Sequence, residues 1–126
     1  MQRPAPRPAR GPHPAEVNAV LAHCQAGRWP EAETAVARLL KSHPQDAALH
    51  NLHGTACSEQ HKLDAAAASF RRAAALAPQS AELLFNLAAT CGRLGRLDEA
   101  VAAYRRSVAL KPDFAVAHYN LGTALK

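Results

Sequence analysis

Residues 81–114 read AELLFNLAATCGRLGRLDEAVAAYRRSVALKPDF, and their plan recurs every 34 residues along the chain. Pro44, Pro78 and Pro112 keep that interval, as do Ala32, Ala66 and Ala100, Trp29, Leu63 and Leu97, and Arg38, Arg72 and Arg106. A fixed period of this length marks a stack of similar supersecondary units rather than one globular core. Inside the quoted unit, Leu83, Leu84, Leu87 and Cys91 fall at helical spacing, and Gly95 supplies the left-handed residue that ends a helix. Asp98 opens a second helix, with Glu99 beside it at the positive end of the helix dipole and Arg105, Arg106 and Lys111 toward the negative end. Pro112 then stops it, because proline has no N–H to give and biases its predecessor away from helical angles.

The neighbouring units follow the same plan. HNLHGTACSEQ and LDAAAASFRRAAAL form the second, where Gly54 permits close approach of two helices and Phe70 takes the column that Tyr104 fills one unit later. The first, EVNAVLAHCQAGRWPEAETAVARLLKSHP, is more degenerate, yet Pro30 suits the start of a helix and Glu31 and Glu33 its first turn. Trp29, in the column of Leu63 and Leu97, is expected in the core.

Composition agrees. Of 126 residues 48% are hydrophobic but only 5% aromatic, so the interior must be built from Ala and Leu, both strong helix formers. No apolar run of about 18 residues and no secretory signal pattern is visible, which makes the cytoplasm the expected location. The three cysteines lack the close spacing of a zinc ribbon and fit a reducing compartment. The opening MQRPAPRPARGPHP holds five of the nine prolines and three arginines, so residues 1–12 are expected to be an extended basic tail. That tail carries +3 of the net +5 and could touch an anionic surface. No aromatic is interleaved with its arginines to stack on bases, and nucleic acid is not the expected partner.

Small residues at Gly54, Gly122, Ala32, Ala66 and Ala100, bulky Phe70 and Tyr104, and closing Pro44, Pro78 and Pro112 together resemble the tetratricopeptide repeat. The resemblance covers roughly residues 13–126 and implies an all-α, right-handed solenoid. Its units would be 13–46, 47–80 and 81–114, with 115–126 as the first helix of a fourth repeat or a cap. His50, Leu84 and His118, and His23, Cys57, Cys91 and Leu125, stand where the family often places aromatics. Leu121 and Leu125 are expected to await a partner, either through continuation of the array past Lys126 or through self-association at the open C-terminal helix.

The resemblance further implies that the first helix of each pair lines a concave groove. The groove residues are then Asn18, Leu21 and Gln25, followed by Asn51, Thr55 and Glu59, by Phe85, Asn86, Ala89 and Arg93, and by Tyr119, Asn120 and Thr123. The outer face carries Arg38, Arg71, Arg72, Arg105 and Arg106, expected as a solvated stripe. Asn18, Asn86 and Asn120 share a column, broken by Leu52 with Asn51 beside it. An amide offers both a donor and an acceptor, so such a column can pair with an extended peptide backbone while ignoring its side chains. This is similar to the asparagine ladder of arrays attached to O-linked N-acetylglucosamine transferases. A second mode of the family clamps a C-terminal carboxylate with basic groups, but its columns here hold Val17, Leu21, Leu52, Glu82 and Asn86. The expected ligand is therefore an extended, nearly neutral peptide of a protein partner.

No metal, cofactor or catalytic set is expected. His50, His53 and Cys57 lie on one side of a helix but at core columns, and His23, Cys57 and Cys91 share a column whose neighbouring helices stand about 8–10 Å apart, too far for short ligands to converge. No nucleophile–base pair or phosphate loop stands at a working spacing, and Cys24, Cys57 and Cys91 have no activating charge nearby in sequence. Two functions follow from different classes. One is a free-standing scaffold that binds a peptide segment. The other is the N-terminal substrate-recruiting array of a larger enzyme, such as a glycosyltransferase or sulfotransferase.

Overall fold

The structure, a computed structural model, describes residues 11–126, so most of the basic tail lies outside the described residues. Seven helices follow one another: α1 (Pro14–Gln25), α2 (Trp29–Ser42), α3 (Ala47–Glu59), α4 (Leu63–Leu76), α5 (Ala81–Arg93), α6 (Leu97–Leu110) and α7 (Ala115–Ala124). They form three helix pairs and a last single helix, each packed chiefly on its chain neighbours, as a stacked array requires. No strand occurs among the described residues, and none of their helices is long and apolar enough to cross a membrane.

The turn inside each pair has one geometry. Gly27, His61 and Gly95 adopt φ of 72°, 59° and 78°, and the amides of Arg28, Lys62 and Arg96 each donate to a carbonyl five residues back at 2.9 Å. This is a Schellman closure, and it needs a left-handed residue at the position that glycine fills in two of the three turns. The connection between pairs is set by proline. The residues before Pro44, Pro78 and Pro112 lie at φ −132° to −136° with ψ of 60° to 85°, outside the helical region that a following proline disfavours. Asp46 and Ser80 then cap α3 and α5 by accepting from the amides of Leu49 and Leu83. Phe114 occupies the same column before α7 and gives no side-chain cap. His50 and His118 each place Nε2 2.8 Å from the carbonyl of the closing proline, Pro44 or Pro112, so these departures from an aromatic column tie the connection down.

Packing follows complementary volumes. Gly54 lies against Phe70, and Ala88 and Tyr104 occupy the same columns one unit later, both buried. A large cluster joins Cys57, Phe70, Leu84, Leu87, Cys91 and Tyr104, while Val20, Val36, Leu39 and Leu49 make a separate, smaller cluster under the first unit. Ser107 is buried and donates its hydroxyl to the carbonyl of Ala81 at 2.8 Å, stitching α6 to the start of α5.

Two expectations are corrected. Trp29 is half-buried and belongs to neither cluster, and Leu97 in its column is 50% exposed. This column sits at the first residue of each second helix, where the Schellman turn swings the chain outward. Leu121 is packed against the large cluster rather than awaiting a partner, whereas Leu125 is 55% exposed. All five arginines of the outer stripe are exposed, and two of them also make contacts between units. Arg71 of α4 holds the Glu99 carboxylate of α6 through Nε at 3.0 Å and Nη2 at 2.8 Å, and Arg72 donates to Gln45 in the connection between α2 and α3. Arg38, Arg105 and Arg106 remain exposed.

Candidate peptide groove

The first helices of the pairs carry the groove columns at helical spacing, and their outward sides differ from unit to unit. On α1, Asn18, Leu21 and Gln25 are exposed, and none makes a side-chain hydrogen bond within the described residues. On α3, Asn51 and Thr55 are half-buried and Glu59 is exposed. On α5, Phe85, Asn86 and Ala89 are half-buried and Arg93 is exposed, while on α7 Tyr119 is 75% exposed, Asn120 half-buried and Thr123 exposed.

Contacts across units bring some of these residues together. Asn86 Nδ2 donates to Asn51 Oδ1 at 2.9 Å, so the asparagine in the ladder column reaches diagonally to the one beside the gap in the preceding unit. Arg93 donates from Nη1 to Ser58 Oγ at 2.9 Å and lies 3.5 Å from His61 Nδ1, which pins a charged side chain at the end of α5. Thr55 and Thr123 bond back to the carbonyls of Asn51 and Tyr119, so their hydroxyls are turned along their own helices. Phe85 packs edge-on to Tyr104 at 5.9 Å and tilted to Phe114 at 5.1 Å, which places it at the border of the core.

Ala89, Arg93, Asn120 and Thr123 converge on one open cleft of ≈ 380 Å³ between α5 and α7, with Tyr104 and Leu97 of α6 in its wall. Burial raises the pKa of the Tyr104 hydroxyl, and the Asn120 side chain beside it offsets part of that rise. At neutral pH the hydroxyl keeps its proton and can donate. The cleft thus offers a fixed guanidinium, an amide and a phenol around an apolar floor, a mixture suited to peptide backbone and small side chains. Ser58, His61 and Tyr104 were not among the residues expected here. The first two act through Arg93 from the preceding unit, and Tyr104 had the sequence signal of a core residue.

For metal ligation the structure alters the set read from the sequence. His50 is turned to Pro44, and Glu33 of α2 stands with His53 and Cys57 instead. His23 accepts from Arg28 Nε at 3.2 Å and does not join Cys57 or Cys91. Burial pushes the Cys24, Cys57 and Cys91 thiols above the usual cysteine value, so none is an activated nucleophile in this state.

Comparison with known proteins bears on the same residues. Family models described as tetratricopeptide repeat match residues 17–81 and 69–102, and one described as TPR repeat matches residues 91–126. No curated protein sequence matches the chain. Among solved structures, a crystal structure of MamA is similar with a TM-score of 0.84 at 22% identity, over 86% of this chain and 64% of that one. The first TPR of Spaghetti (RPAP3), bound to the HSP90 peptide SRMEEVD, gives 0.83 at 20% identity, over 87% of each chain. An O-GlcNAc transferase mutant of Thermobaculum terrenum gives 0.75 at 28% identity, over 88% of this chain and 22% of that one. The chain spans 64% and 60% of the length of the two MamA structures it matches.

Proposed function

Because the chain belongs to the tetratricopeptide-repeat family, we propose that it is a protein-interaction scaffold that holds an extended segment of a partner along α1, α3, α5 and α7. The observation that carries this reading is the cleft between α5 and α7, where Ala89, Arg93, Asn120 and Thr123 come together. Arg93 is held in place by Ser58, so its ordering entropy is partly met before a ligand arrives. Asn86 has one amide hydrogen committed to Asn51 and keeps a second hydrogen and its oxygen for a peptide backbone. The ligand expected is an extended segment with small side chains, oriented by an acceptor that meets Arg93. The HSP90 peptide in the Spaghetti (RPAP3) structure supports peptide holding as a use of this fold.

The test is selection of peptides from a random display library on the intact chain, followed by affinity measurements on Arg93→Ala and Asn120→Ala. Each substitution is expected to weaken the selected peptide about tenfold, since each removes a hydrogen bond to a desolvated ligand group. Unchanged affinity in both variants, with helical content retained, contradicts the groove reading.

A second reading places the same array beside a catalytic domain, where it would recruit substrates. The likeness to the Thermobaculum terrenum O-GlcNAc transferase mutant, at 28% identity over 22% of that chain, favours it. In both readings this stretch binds and the chemistry, if any, lies elsewhere.

A further inference from the structure

Away from the groove, at the junction of the first and second units, Glu33 of α2 and His53 and Cys57 of α3 bring ligating atoms within 4.8 Å of one another. His53 and Cys57 are one helical turn apart, and Nδ1 and Sγ lie 3.8 Å from each other. A tetrahedral zinc ion with bonds of about 2.0 Å to nitrogen and about 2.3 Å to sulfur sets that edge near 3.5 Å, so the pair is close to the required span. Glu33 Oε1 accepts from Gln60 Nε2 and from Lys62 Nζ, both at 2.8 Å. These donors fix the carboxylate as outer-shell partners fix a metal ligand, and Oε2 makes no hydrogen bond among the described residues. Ser69 Oγ lies 2.7 Å from His53 Nδ1 in a hydrogen bond that an ion at this nitrogen would replace.

We propose that Glu33, His53 and Cys57 form a binding site for one zinc ion, with the fourth position taken by water. The donor set selects the metal: thiolate and imidazole suit zinc, whereas magnesium and calcium take oxygen ligands. On binding, the Cys57 proton leaves to solvent, and thiolate and carboxylate together balance the two positive charges of the ion. Lys62 opposes a cation but is tied to the oxygen that the ion does not use. Cys57 is fully buried and Glu33 partly exposed, so the ion enters past Glu33. The consequence is structural. The small cluster of Val20, Val36, Leu39 and Leu49 already joins α1, α2 and α3, and an ion bridging α2 to α3 would add a second tie between the first and second units.

Cobalt titration of the reduced, metal-free chain tests the site, followed by displacement with zinc. One equivalent of cobalt is expected to give a sulfur-to-metal charge-transfer band, which zinc removes. Cys57→Ala should abolish the band, and Cys91→Ala, which alters the buried cysteine in the same column one unit on, should keep it. Glu33→Gln, at a partly exposed position that leaves the core intact, should weaken zinc at least about tenfold. Cobalt binding without a sulfur band, a band that survives Cys57→Ala, or unchanged zinc affinity in Glu33→Gln would each overturn the proposal.

Discussion

Gly54 packs directly against the ring of Phe70: a Cβ at Gly54 would lie 2.7 Å from Phe70 Cε1 and 2.8 Å from Cδ1. Gly→Ala inside a helix ordinarily stabilises by about 1 kcal/mol. Here the added methyl must displace a 4%-exposed aromatic ring, and overpacking of that kind costs about 1–3 kcal/mol. Gly54→Ala is therefore expected to lower stability in urea denaturation, and Gly54→Ala combined with Phe70→Leu to lose less than the sum of the two single changes. Simple additivity would show that the ring and the glycine are not coupled.

His61 is the non-glycine member of a left-handed turn column, at φ 59°. An L-residue there costs about 1–2 kcal/mol, and glycine loses about 0.5–1 kcal/mol more backbone entropy on folding. His61→Gly should raise the unfolding free energy by the difference, about 0.5–1 kcal/mol, and shift the urea midpoint upward with it. Gly27→Ala and Gly95→Ala, at φ 72° and 78°, should lower it. A destabilised His61→Gly chain would mean that the contact of His61 with Arg93 outweighs backbone strain.

Glu82 is held below its usual pKa of 4.5, first by its own backbone amide and then by Lys111, whose Nζ is 3.2 Å away. A depressed carboxylate contributes stability that is present above pH 4.5 and lost as the pH falls through the lower folded value. Carboxyl NMR titration should place the Glu82 midpoint below 4.5, and Lys111→Met should raise it only part of the way, since the backbone bond remains. A wild-type midpoint at or above that value would show that neither contact persists in solution.

The period made the helix pairs, the turn at Gly95 and the close approach at Gly54 legible, because these depend on local chemistry repeated in register, although it did not say that Phe70 is what Gly54 meets. The side-chain contacts between units were not. Columns 34 residues apart are equivalent positions, but touching residues are offset by the way neighbouring helices cross. Asn51 meets Asn86 at a separation of 35, Arg96 meets Asp64 at 32 and Arg71 meets Glu99 at 28. The packing of α2 on α3 brings Glu33 to His53 and Cys57 from another helix, which a search along one helix face passes over. Trp29 is expected inward because Leu63 and Leu97 share its column, yet its place at the head of a helix leaves it half-buried.

The most direct test of groove binding is an amide NMR map of the chain with a display-selected peptide. Shift changes are expected to concentrate at Ala89, Arg93, Asn120 and Thr123 on α5 and α7, extending to Asn51 and Asn86. Changes confined to the outer sides of α2, α4 and α6, around Arg38, Arg72 and Arg106, would contradict the account and place the partner on the convex face.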